Sequence, residues 1–320
     1  MPRLPVLILG LLIASATLAD DPPPVQLGAL FRGIAIPAQG RPDIEPFGMW
    51  RQRIDLDDVN EYAKRANASE FILFDGEAAQ VSYTLRYGLG GGWENSLFVP
   101  LLVQGGGILD PIIQDWHRFW HLPNGGRNSA VSNSLSYQYS RSGRTILDVS
   151  QSNTSLGDVQ LSSGYQITDH LAARAMLKLP TGNANLLSGD DALGGALWLD
   201  GGLPLENAYH RLTLYASIGC SFNGTGDILA AQQKRFLPFG SVGIGLKFTD
   251  RWDARLQIYV DAPAYKGSQL APLQHIGVPL TLTSSYKFTP RTTLSIGIQE
   301  KLVFLASPDF GVHLGVALRR

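Results

Sequence analysis

The densest group of chemically capable side chains is Asp115-Trp116-His117-Arg118-Phe119-Trp120-His121. Its spacing predicts a short helix with His117 and His121 one turn apart on one face. Two imidazoles so placed, with Asp115 as a third ligand, are the start of a metal site. The Glu of a His-Glu-x-x-His zinc motif is missing and no further ligands cluster nearby, so no metal is assigned. A second chemistry uses the rings. Trp116, Phe119 and Trp120, with His117, His121 and Arg127, form an aromatic wall carrying few polar groups, which suits an apolar small molecule. Arg127, after two glycines, would orient a carboxylate or pair with an internal acid. The plainer alternative is an amphipathic helix packed on a larger structure or folded into its mouth. These six residues are the candidate ligand-binding set.

Other candidates are thinner. Asp190-Asp191, after Gly189, could offer carboxylate oxygens to a divalent cation or form a solvated loop end. Gly90-Gly91-Gly92 and Gly105-Gly106-Gly107 lack the Lys-Ser/Thr of a phosphate loop and the Rossmann spacing. There is no Gly-x-Ser-x-Gly elbow. Ser, His and Asp are present, but no spacing singles out a triad. No catalytic residue and no cofactor are assigned.

The elements that must position these residues are read from composition and period. Charged residues are 17% of the 320, against about 25% in ordinary globular chains. The net charge of −1 gives no bulk reason to expect nucleic acid. Arg3, the apolar run Leu4 to Ala16 and the small-residue pattern Thr17-Leu18-Ala19 read as a signal peptide over 1–19. Cys220 is the lone cysteine, so there is no internal disulfide. After residue 19 no apolar run reaches the roughly 20 residues of a membrane helix. A membrane position would therefore require a closed barrel, the other structure that satisfies every backbone group in hydrocarbon.

The C-terminal half alternates strictly. Leu212, Leu214, Ala216, Ile218 and Cys220 interleave with Arg211, Thr213, Tyr215, Ser217 and Gly219, and later segments behave likewise. The turns at 168–169, 249–251 and 289–291 are minimal, whereas 180–192, 223–235 and 262–276 are long. Tyr87, Trp93, Tyr165, Phe248, Trp252, Tyr286 and Phe288 gather at short-turn ends, and Phe222, Phe236 and Phe310 at long-loop ends. All lie on the apolar parity, the pattern of two aromatic girdles. The other parity carries Arg86, Arg174, Lys178, Arg211, Lys247, Asp253, Arg255 and Glu300, assigned to a lumen. The reading is all-β: a transmembrane antiparallel up-and-down β-barrel of about 14 strands, or 12 if segment 144–150 and a neighbour drop out. Residues 20–47 read as a periplasmic lead-in or partial plug. The barrel covers 48–320, with an inserted loop, 104–130, at the outer side or dipping into the lumen. A secreted soluble β protein is the alternative, although a sandwich core would not sort aromatics by strand end.

The run Asp115 to Arg127 resembles a loop of an uncharacterised proteobacterial outer-membrane family, known only as a domain of unknown function. Leu179-Pro180-Thr181-Gly182 followed by Ser188-Gly189-Asp190 is similar to a loop that this family shares with barrels associated with phenol meta-cleavage pathways. The resemblance implies a barrel in the cell outer membrane. Its partners would be the lipid bilayer and the outer-membrane assembly machinery. The expected role is non-enzymatic: a selective channel or binder for small hydrophobic or amphiphilic molecules. An outer-membrane lipid-modifying enzyme and a structural barrel without transport are the alternatives.

Overall fold

The computed structural model describes residues 25–39, 41–121, 131–206, 211–302 and 307–320. The expected leader, 1–19, lies outside them. Fifteen strands join in a single antiparallel sheet. They are β1 (Trp50–Ala66), β2 (Glu70–Gly90), β3 (Trp93–Gly105), β4 (Ser136–Arg141), β5 (Arg144–Val149), β6 (Asn153–Leu156), β7 (Gln160–Thr168) and β8 (Leu171–Lys178). The others are β9 (Gly194–Glu206), β10 (Arg211–Asn223), β11 (Phe236–Lys247), β12 (Trp252–Asp261), β13 (Pro279–Lys287), β14 (Thr292–Lys301) and β15 (Phe310–Arg319). Each of β7 to β15 pairs with its chain neighbour, β15 pairs with β1, and β1-β2-β3-β7 completes the ring. The closed barrel therefore has 12 strands, the smaller of the two expected counts, with three extra strands.

The extra strands lengthen staves and do not widen the ring. β2 runs past its partner β3, and β4 takes over its edge from Asp75 to Glu70. β4 is thus the upward continuation of β3, after an excursion from 106 to 135. β5, β6 and β7 descend in the same way as one broken strand. β6 meets Leu101–Gln104 of β3 and β7 meets Trp93–Phe98. The break between them carries one extra residue, a bulge, opposite Pro100, whose missing N–H cannot serve the ladder.

Alternation sets inside and outside. Ile54, Leu56, Leu197, Leu199, Val242, Leu282, Ile296, Leu314 and Val316 all stand exposed on the outer face. Arg53, Asp55, Ser82, Glu94, Asp200, Arg255 and Thr283 are buried on the inner one. This inverts a soluble protein and matches a wall solvated by lipid. At the short-turn end Trp50 meets Tyr87 at 4.9 Å, Trp93 meets Tyr165 at 4.8 Å and Phe248 meets Trp252 at 4.5 Å between ring centroids. At the other end Phe222 meets Phe236 at 5.3 Å. Each contact joins aromatics on the outward parity, so both girdles are built from cross-strand neighbours or turn-linked ends.

Candidate functional site

The lumen is filled from within the chain. Residues 25–39 and 41–47 run inside the ring, rising to a turn at 29–34 and descending to β1. Near mid-height Gln26 Nε2 donates to Asp57 Oδ1 at 2.9 Å and Gln299 Nε2 donates to the Gln26 carbonyl at 2.8 Å. At the top the Ala29 N–H donates to Glu61 and the Tyr265 hydroxyl donates to the Leu30 carbonyl, 2.9 and 2.7 Å. On the way down the Ala35 N–H donates to Asn223 Oδ1 at 2.8 Å. At the bottom Glu45 accepts from Arg51 Nε at 2.7 Å and lies 3.1 Å from Arg319 Nη2. A chain without regular structure has no ladder for its own N–H and C=O groups, so wall side chains satisfy them.

The outer mouth is closed by an apolar cluster. Leu30, Phe31 and Ile34 pack with Phe74 and Tyr137 of the wall, and with Leu229, Tyr265 and Leu273 of the long loops. Below it, two spaces remain between the inserted segment and the β1-β2-β3-β7 wall. The upper, about 80 Å³, is lined by Ile34, Ile36, Phe98 and Leu102 together with Arg32, Asp57 and Asp158. The lower, about 90 Å³, is lined by Arg53, Asp55, Arg86 and Arg174 together with Phe98 and Trp198. Pro37, Ala38, Phe98 and Gln160 border both, so the two follow one another along the same wall.

The charges around them are paired. Arg86 Nη2 lies 2.6 Å from Glu94, and Arg174 bridges Glu94 and Asp200, the latter at 2.9 Å. Lys178 reaches Asp158 and Asp190, 2.5 Å each. Asp190 is therefore not a solvated loop end. It is buried, and burial pushes its carboxyl above the usual range while the Lys178 ammonium pulls it back. The ammonium takes the place a cation would need.

A Ser-His-Asp set also emerges, which no sequence spacing revealed. Ser295 Oγ lies 3.0 Å from His313 Nε2, and His313 Nδ1 lies 2.7 Å from Asp57 Oδ1. These residues sit at inward positions of β14, β15 and β1, and only the strand register brings them together. With Nδ1–H donating to Asp57, Nε2 is the acceptor, the tautomer a general base needs. Arg53 Nη2 stands 3.1 Å from the same Nε2 and 3.3 Å from the hydroxyl. Inward parity could have flagged each residue, but not the set.

The six residues singled out from sequence lie elsewhere. Helix α1 (Asp110–Trp120) sits against the outward face of β14 and β15, and none of its residues borders either cavity. Trp116 packs on Phe310 at 6.0 Å, and Leu109 and Ile113 cluster with it. His117 is buried on the wall, Nε2 3.7 Å from Glu300. Glu300, assigned to the lumen from sequence, is thus corrected to the outer face; it shares the parity of Ile296 and Ile298. His121 ends the helix in a left-handed conformation, with Nδ1 3.1 Å from the Arg118 carbonyl. The two imidazoles do not converge, and the described residues contain no group of three metal-ligating side chains. Phe119 and Trp120 are exposed. Arg127 lies outside the described residues.

The comparisons agree with this architecture. The fold is similar to that of the COG4313 outer membrane channel from Pseudomonas putida F1, with a TM-score of 0.57 at 13% identity, covering 87% of this chain and 98% of that one. Lower TM-scores of 0.43 relate it to the NanC porin, at 9% identity over 83% of this chain and 98% of that one. The same score relates it to the toluene transporter TbuX of Ralstonia pickettii, at 12% identity over 92% and 97%. No curated protein matches. A closed ring with a lipid-facing belt and this fold belongs in the outer membrane. Residues 45–319 match the family described as protein of unknown function DUF3187, and the chain belongs to that family.

Proposed function

We propose that the protein is a gated channel for small hydrophobic or amphiphilic molecules, with residues 25–47 as the gate. The observation that carries this is the pair of cavities that follow one another between the inserted segment and the wall, each lined by both apolar and charged side chains. An amphiphile finds both kinds of surface along that path. Size explains the need for a gate. A void of roughly 150 Å³ is what holds benzene in a protein core, and about 80 Å³ falls short of it. Passage then requires the segment to shift. The loop likeness to barrels of phenol meta-cleavage pathways makes a phenolic compound the first solute to try.

Deleting 25–45 behind an intact leader should give steady conductance in planar bilayers where the full chain gives little. It should also speed entry of a phenolic solute into liposomes. A deletion variant that still shows the heat-modifiable mobility of a folded barrel, yet conducts no more than the full chain, sinks the gate.

One observation favours a second reading, a lumenal hydrolase: the Ser295–His313–Asp57 geometry. Two features oppose it. Arg53 points a donor at the lone pair that would take the Ser295 proton. Ser295 also lies mid-strand, where backbone N–H groups are spent on the ladder and supply no oxyanion hole. The channel reading expects no Ser295-dependent labelling by a fluorophosphonate probe, with or without the 25–45 deletion. Labelling lost in Ser295→Ala would overturn it.

A further inference from the structure

Helix α1 has three faces, and only one of them is explained by the barrel. At about 100° per residue, Leu109, Asp110, Ile113 and His117 share the face turned to the wall, and all are buried. Gln114, Asp115 and Arg118 share a polar face, where Arg118 and Asp115 form an exposed ion pair. Between these, Ile112 and Phe119 make an apolar stripe that no described residue covers; Ile108 extends it just ahead of the helix and Trp120 borders it at the helix end. Ile108, Ile112, Phe119 and Trp120 are 73%, 53%, 74% and 57% exposed.

The stripe continues an interface already present. Phe310 belongs to the outer girdle by parity and height, ten positions along β15–β1 from the Trp50 level. Yet it is only 3% exposed, because α1 lies over it. Phe222 and Phe236, its counterparts on β10 and β11, stay open to lipid. On the β14–β15 sector the girdle is therefore one layer further out, and its aromatic surface is that of α1.

The helix is also tied to the wall at this height. Asn60 and Glu77 occupy outward positions that would otherwise present polar groups to the membrane. Glu77 accepts the N–H groups of Ile108 and Leu109, both at 2.8 Å. Asn60 Nδ2 donates to Asp110 at 3.1 Å, and Asp110 accepts the Asn133 N–H at 2.9 Å. Gly107, with φ of +72°, lies so close to the Glu77 carboxylate that a Cβ would strike it. The excursion thus satisfies polar groups on the lipid parity and lays a helix along the boundary.

We infer that the Ile108–Ile112–Phe119–Trp120 stripe is seated in the outer leaflet, at the border of headgroups and acyl chains. The helix lies there as an interfacial element with its Asp115–Arg118 face toward water. Its apolar ligand is lipid acyl chain, and the polar stripe sets the depth.

The test uses the full chain in phosphatidylcholine vesicles, in a Cys220→Ala background. An environment-sensitive fluorophore is attached at Phe119→Cys, and separately at Ile112→Cys in case one variant fails to fold. The comparison label is at Ser142→Cys, on the exposed β4–β5 turn. Lipids brominated near the headgroup should quench the α1 labels at least twofold more than the turn label. Iodide in the water should quench them less. Equal iodide access at all sites, with no lipid quenching, overturns the proposal. So does lipid quenching that is absent at low protein density but replaced by energy transfer between copies at high density, because the stripe would then cover a second copy of this chain.

Discussion

Replacing Lys178 with methionine should destabilise the outer half of the barrel by about 3–5 kcal/mol, the cost of stranding buried charge. The ammonium donates to Asp158 Oδ2 and Asp190 Oδ1 at 2.5 Å each and to the Ala192 carbonyl at 2.8 Å. Removing it leaves two carboxylates facing each other inside the protein. Both also organise loops: Asp158 accepts the Gly182 N–H, and Asp190 accepts from Gln233. Asp190 already holds its proton more tightly than a free carboxyl. Without the ammonium that shift grows, so the sign with pH is fixed. A group whose folded pKa is raised disfavours folding as pH climbs from its unfolded toward its folded value, and the deficit is complete above the latter. The variant should therefore melt well below the parent at pH 8 and recover part of the gap at pH 5. The temperature at which heat-modifiable mobility is lost measures both. Adding Asp158→Asn should also recover part of it at pH 8. A Lys178→Met barrel that melts with the parent at pH 8 would show that the loops, and not this triad of charges, hold the mouth.

Such a site marks the border of what sequence discloses. The outer face of a barrel must be apolar at every second residue whatever its partners are, so Leu212 to Cys220 or Val242 to Phe248 could be read alone. The inner face has no such rule. Lys178, Asp158 and Asp190 are each ordinary polar residues until register and loop path converge them. The strand count shows the same limit. Segments 131–140 and 144–150 look like strands, and half of the first and most of the second are strand, but period two does not say whether a strand widens a ring or extends a stave. Residues 25–47 carry Leu30, Phe31, Ile34 and Ile36 in no regular period, because they pack as an unstructured filling with apolar side chains on several sides. For Glu300, charge points to the lumen and parity to the outer face, and parity decides. Its position matches Ile296 and Ile298, and its burial under α1 removes the objection to a carboxylate there. The aromatic run of α1 was legible as a helix, whereas its place outside the wall depends on Glu77 and Asn60, far away in sequence.

The largest functional effect is expected at Arg174, because that guanidinium serves the wall and the gate together. Its Nε donates to Asp200 at 2.9 Å and its Nη1 to Glu94. Its Nη2 lies 3.1 Å from the Arg41 carbonyl and 3.2 Å from that of Asp43. Arg174→Gln separates these duties. The wall acids keep other donors: Asp200 still accepts from Trp198 Nε1 at 2.9 Å and from the Ser217 hydroxyl, and Glu94 still accepts from Arg86 at 2.6 Å. In the gate segment, the substitution removes the donor that holds those two carbonyls to the wall. The barrel should fold, and the loss should fall mainly on the closed arrangement. If about 3 kcal/mol of a buried pair's worth is taken from that state, the open fraction rises roughly a hundredfold, since each 1.4 kcal/mol is a factor of ten. In planar bilayers this reads as frequent openings where the parent is nearly silent. Arg174→Lys, with one point charge in place of a planar fork, should fall between them. Glu45→Gln is a weaker probe, because a neutral amide can still accept from Arg51 while the carbonyls stay held. A folded Arg174→Gln barrel as quiet as the parent would mean that the segment is fixed from above, by the apolar cluster of Phe31, Ile34 and Tyr265, and that the gate, if it opens, opens at the mouth.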